Sequence, residues 1–71
     1  MLKVNPSALK HGIDARDLLH AADNAVYRVW LDDEADPRRE LVLGFDKSGR
    51  LFELVILWFD SGNGLIAARI C

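Results

Sequence analysis

The chain has little of most things that mark a dedicated chemistry. It carries one cysteine, Cys71, at the final position, so no intramolecular disulfide can form and no cysteine pair suggests a zinc or redox motif. That usage fits a reducing compartment such as the cytoplasm. It has no long hydrophobic run: the longest, Leu54 to Phe59, falls far short of the roughly 20 residues needed to cross a bilayer. The opening Met1-Leu2-Lys3-Val4-Asn5-Pro6 lacks the charged-then-apolar pattern of a secretory signal. Nor is there an excess of basic charge, with nine Lys and Arg against eleven Asp and Glu. This balance argues against non-specific nucleic-acid binding, which needs an electropositive face. No glycine-rich phosphate loop, metal-spaced ligand set or nucleophile elbow is present. The acidic run Asp32-Asp33-Glu34-Ala35-Asp36 lacks the spacing and the turn glycine of a calcium loop and reads as a solvated connection.

What is there is enough apolar sequence for one small core. At 71 residues and 51% hydrophobic, the chain reads as a single domain, residues 1–71, with marginal stability of its own. Asn5-Pro6-Ser7 is a helix-start signal for a short turn through Ala8-Leu9-Lys10-His11, which Gly12 ends. Asp14 is an N-cap for Ala15 to Asp23, with Leu18, Leu19, Ala21 and Ala22 as an apolar stripe and Ile13 ahead of the cap. From Ala25 onward β-formers dominate. Four strands follow: Ala25–Leu31, Arg39–Asp46, Leu51–Phe59 and Leu65–Ile70, joined by short turns. Successive strands joined so closely pair antiparallel. The expected fold is α+β, a short N-terminal helical turn and one helix packed on a four-stranded antiparallel meander sheet.

A two-residue Ser48-Gly49 turn would oppose Lys47 to Arg50, Phe45 to Phe52 and Leu43 to Leu54. The core face would then hold Leu41, Leu43, Phe45, Phe52, Leu54, Ile56 and Trp58. Glu40, Val42, Gly44, Glu53, Val55, Leu57 and Phe59 would face outward. A one-residue slip would bury Glu53, at a desolvation cost. With Ile66, Ala68 and Ile70 inward, Arg69 would stand near Glu53 on the outer face. That face would be apolar enough to require a partner.

A guanidinium matches phosphate oxygens and a carboxylate accepts protons, so Arg69 with Glu53 is a candidate pair for RNA cleavage, the ordinary alternative being a cross-strand ion pair. His11, in Lys10-His11-Gly12, is a candidate general acid or base, or else a helix-end residue favoured by the dipole. Lys47 and Arg50 flank a turn and could touch RNA or an acidic partner; solubilising turn charges are the plainer reading. His20 reads as a surface or boundary residue.

Taken in order, Lys10-His11-Gly12-Ile13 at a helix start, a strand from Arg39 containing Gly44, then Gly49-Arg50-Leu51, then Leu65-Ile66-Ala67-Ala68-Arg69, resemble the BrnT family of toxins. That family is similar in fold to RelE-type ribonuclease toxins, and the similarity spans roughly Asn5 to Arg69. The resemblance implies a type II toxin–antitoxin component that cleaves RNA without a metal or other cofactor. Its partner would be a small DNA-binding antitoxin of ribbon-helix-helix type. Arg69 would hold the scissile phosphate, Glu53 or His11 would move protons, and Lys10, Arg50 and Lys47 would position RNA. Members carry arginines where this chain reads Trp58-Phe59-Asp60 and Gly62-Asn63-Gly64, which implies weak or absent cleavage. The alternative function is a non-catalytic interaction module of the same fold, forming a homo-oligomer or binding an antitoxin-like protein.

Overall fold

The computed structural model describes residues 1–9, 12–32, 34 and 36–70, and for residues 68–70 the backbone alone. After a first strand β1 (Leu2–Val4) and a 3₁₀ turn (Pro6–Ala8) comes one helix, α1 (Ala15–Asp23). Strands β2 (Ala25–Asp32), β3 (Arg38–Phe45), β4 (Leu51–Trp58) and β5 (Gly64–Ile70) complete the chain. Among the described residues no helix is long and apolar enough to cross a membrane.

The α+β class holds, and β2 to β5 form the expected antiparallel meander. The sheet nevertheless has five strands, not four, in the order β1-β5-β4-β3-β2, and is mixed because β1 runs parallel to β5. Leu2-Lys3-Val4 is too short to announce itself as a strand. It is recruited by the far end of the sequence, Leu2 opposite Gly64 and Val4 opposite Ile66. Backbone hydrogen bonds continue the pairing at both ends, from Gly64 N to Met1 O (3.0 Å) and from Asn5 N to Ile66 O (3.0 Å).

Local signals account for the helical elements. The Asn5 side chain accepts from Ser7 N at 3.0 Å, capping the 3₁₀ turn with Pro6 at its first position. Asp14 caps α1 through Arg16 N at 2.9 Å, and Asn24 closes it on the His20 carbonyl. Leu18, Ala21 and Ala22 are buried, and Ile13 and Leu19 pack beside them, so the expected stripe is the stripe that meets the sheet.

The hairpin between β3 and β4 corrects the expected register. Asp46 N donates to Arg50 O at 2.9 Å, and Gly49 N to Asp46 O at 3.0 Å. This is a three-residue loop, a turn over Asp46–Gly49 followed by Gly49 at φ 83°. The Asp46 carboxylate fixes it by accepting from Ser48 N and Arg50 N, both at 2.9 Å. The extra residue shifts the pairing by one: Phe45 lies opposite Leu51, Leu43 opposite Glu53 and Val42 opposite Leu54. On β4 the inward set is as expected, with Phe52, Leu54 and Ile56 buried. On β3 the faces are exchanged. Glu40 and Val42 are buried, as is Gly44, while Leu41, Leu43 and Phe45 lie on the outer face. Gly44 permits the closest approach of sheet and helix, since a Cβ there would run into the Ala21 carbonyl oxygen.

Candidate functional site

The exchange of faces on β3 puts a charged group inside. Glu40 is 7% exposed, and its carboxylate is filled from two sides. Arg28, on β2, donates from Nε to Oε2 at 3.0 Å and from Nη2 to Oε1 at 2.9 Å, a bidentate pairing. The Trp58 indole Nε1 donates to Oε1 at 2.9 Å. Arg28 also reaches the Ala22 carbonyl at the end of α1, at 3.4 Å. Burial pushes the Glu40 carboxyl up, but the hydrogen bonds from Arg28 and Trp58 and the charge of Arg28 outweigh it, and the net direction is down. The bond to Glu40 raises Arg28 in turn. An ionised carboxylate whose oxygens are already engaged is poorly suited to take a proton from a substrate. Its role is to tie β2, β3, β4 and the helix end together.

Asp46 behaves alike. Burial pushes its carboxyl up, yet the hydrogen bonds from Arg50 and Ser48 and the Arg50 charge bring it below the usual carboxylate range. Arg50 is committed by the same contacts. Its Nε lies 2.7 Å from Asp46, its Nη2 3.6 Å from Asp17, and its guanidinium sits over the Phe52 ring at 5.3 Å. Lys47 is exposed at the tip of the turn. Lys10 and His11 lie outside the described residues.

Glu53 is half-buried on the outer face, opposite Leu43 on β3 and Ile70 on β5. Arg69, expected near Glu53, is paired with Leu54, one residue before the Ile70 that lies opposite Glu53. A shift in β5 between the partners of Val55 and Ile56 pairs Val55 with Ala68, Leu54 with Arg69 and Glu53 with Ile70. Glu53 has no ion-pair partner among the described residues. Among the described residues no group of three His, Cys, Asp or Glu side chains is arranged to hold a metal.

The outer face is the larger feature, and it forms rows across the sheet. One row runs Lys3, Leu65, Leu57, Arg39 and Asp32. The next holds Val55, Leu41 and Val29, the next Glu53, Leu43 and Tyr27, and the last Leu51 and Phe45. Among the described residues no helix lies on this side, because α1 packs on the face that carries Val42, Gly44, Leu54 and Ile56. Tyr27 (51%), Phe45 (44%) and Leu51 (52%) remain open to solvent. A hollow of about 320 Å³, lined by Lys3, Phe59, Ser61, Asn63, Gly64 and Leu65, continues the face past its positive end. Val55 and Leu57 lie on this face as expected, whereas Trp30 is opposite Glu40 on the helix side, where Arg38 lies over its ring at 5.0 Å.

Comparison with protein-family models, with curated proteins and with solved structures returned no match.

Proposed function

We propose that this chain is a protein-interaction module whose outer sheet face docks a partner. The observation that carries this reading is the uncovered apolar face across β2 to β5, which includes Tyr27, Leu41, Leu43, Val55 and Leu57. Four strands at about 4.8 Å and seven residues at about 3.3 Å give a footprint on the order of 450 Å². A patch of that size is comparable to the largest apolar patch on a typical monomer, which is often a functional surface. The partners in question are a small antitoxin-like DNA-binding protein or another copy of the chain, working in the cytoplasm. Val55→Asp tests the reading. On a docking face it leaves the isolated domain folded and removes partner binding and binding of an apolar dye. If the variant binds as the parent does, the face is not a docking surface.

A second reading, a BrnT-like metal-independent ribonuclease, is favoured by the order of Lys10-His11-Gly12, Gly44, Gly49-Arg50-Leu51 and the Leu65–Arg69 strand. In that reading Arg69 holds phosphate, Glu53 or His11 transfers the proton, and Lys10, Arg50 and Lys47 position RNA. The test is labelled RNA with the purified chain in chelator, beside Arg69→Ala and Glu53→Gln. Cleavage lost in both variants supports it, and intact RNA with folded parent protein removes it.

A further inference from the structure

We infer that the occupant of the outer face is a second copy of this chain, packed face to face about a twofold axis that crosses the strands at the Val55–Leu41 row. The inference rests on the docking reading above and names its partner. Three observations lead to it.

The first is the distribution of charge on the face. Arg39 marks one side of the Val55–Leu41 row and Glu53 the other, with apolar residues between them. Arg39 stands opposite Leu57, and Glu53 lies four residues before Leu57 on the same strand. An axis across the strands at Val55 reverses strand direction in the second copy and brings its Glu53 over Leu57 of the first. Arg39 is then one strand, about 4.8 Å, to the side. Symmetry repeats the contact, so two Arg39–Glu53 pairs flank an apolar centre. An axis along β4 would instead set Glu53 against Glu53, which like charge disfavours, and one between β3 and β4 would set Glu53 over Leu43 with no opposite charge.

The second is the availability of those groups. Arg39 is 52% exposed at its side chain, and its one ion pair among the described residues, with Asp32, is loose at 3.9 Å. Glu53 has no ion-pair partner among the described residues. The same symmetry lays Leu51, at one end of the face, over Phe59 beside the hollow at the other, and both are exposed.

The third is size. The footprint, on the order of 450 Å² in projection, is within a factor of two of the roughly 800 Å² of accessible surface each partner buries in a standard interface. The accessible area of a corrugated sheet exceeds its projection. Two such sheets stacked about 10 Å apart form an ordinary sandwich core. The edge of β2 is a poorer route to self-association, because register shifts at both ends of its pairing with β3 interrupt the strand.

Sedimentation velocity from 1 μM to 1 mM, on the full chain with folding checked by circular dichroism, is the experiment. The expected result is a concentration-dependent dimer of twice the 8.0 kDa chain mass. Glu53→Arg or Arg39→Glu alone should weaken it at least tenfold, since each sets two like-charge contacts at the interface. The double variant, which exchanges the charges, should recover to within about threefold of the parent. A dimer indifferent to the charge swaps, or abolished by Val26→Lys on the β2 edge, overturns the inference. So does a folded monomer at 1 mM. Such a monomer that binds an apolar dye, and loses it in Val55→Asp, removes only the second copy and leaves the face a site for another protein. A monomer that binds no dye removes both.

Discussion

Removal of Arg28 should expose how much the buried carboxylate of Glu40 depends on it. In Arg28→Ala the carboxylate loses two charge-assisted hydrogen bonds and keeps the one from the Trp58 indole, while remaining buried. Breaking a fully buried ion pair from one side costs about 3–5 kcal/mol. The Arg28 side chain is 44% exposed, so water screens part of the interaction, and about 2 kcal/mol is the reasoned loss. A chain this size has a total stability of about 4–11 kcal/mol, so such a loss is a large fraction. It should lower Tm by about 8–16 °C. Urea titration followed by tryptophan fluorescence is a suitable assay, at one fixed low protein concentration so that association does not contribute. A double-mutant cycle with Glu40→Gln should return a coupling of at least 1 kcal/mol. Arg16–Asp14 provides the control: it has the same 2.9 Å separation, but Arg16 is 88% exposed, and Arg16→Ala should leave the midpoint unchanged. If Arg28→Ala behaves like Arg16→Ala, burial does not decide the strength of this pair and the reasoning fails.

Acid should act through the same group. The Glu40 carboxyl is lowered in the folded state, so its contribution is complete above its unfolded value of about 4.3 and is lost as pH falls through the folded one. Stability should therefore drop below about pH 4, and Glu40→Gln should flatten that limb of a pH–stability curve while lowering the plateau. Gly44→Ala should cost about 3 kcal/mol, because the added methyl meets helix backbone that cannot rotate away, and thermal melting measures it. Gly49→Ala should cost about 1 kcal/mol from its positive φ alone, with Gly49→Asn milder.

Much of the fold was legible because it depends on local pattern. The cap at Asp14, the Leu18-Ala21-Ala22 stripe and the alternation along β4 each follow from residues close together in the chain, and each formed as read. The misreadings share one physical cause, the parity of strand pairing. One more residue in the Asp46–Arg50 turn reversed β3, and one shift in β5 sets Arg69 opposite Leu54. The turn carried a usable signal: Asp at its first position and Gly at its fourth favour the three-residue loop. The β5 irregularity and the recruitment of Leu2–Val4 carried none, since both depend on a strand far away in sequence.

The slip on β3 also shows how the two faces of the sheet came to differ. A one-residue slip was expected to bury an isolated acid on β4. It was absorbed by β3 instead, where the acid that turned inward, Glu40, meets Arg28 and Trp58. The helix side thus acquires a satisfied charge and two small residues, Gly44 and Ala21, that let α1 sit close. The same reversal turns Leu41, Leu43 and Phe45 away from the helix and toward solvent. In the opposite register those three would have filled the core under α1 and left Glu40, Val42 and Gly44 outside, a less apolar face than the one that forms. Because Asp46 closes a three-residue turn, the apolar residues of β3 join those of β4 on the side with no helix. The turn that sets the register is therefore also what adds Leu41, Leu43 and Phe45 to that face. A substitution that breaks the Asp46 turn, such as Asp46→Ala, should disturb association and folding together, whereas Val55→Asp should separate them.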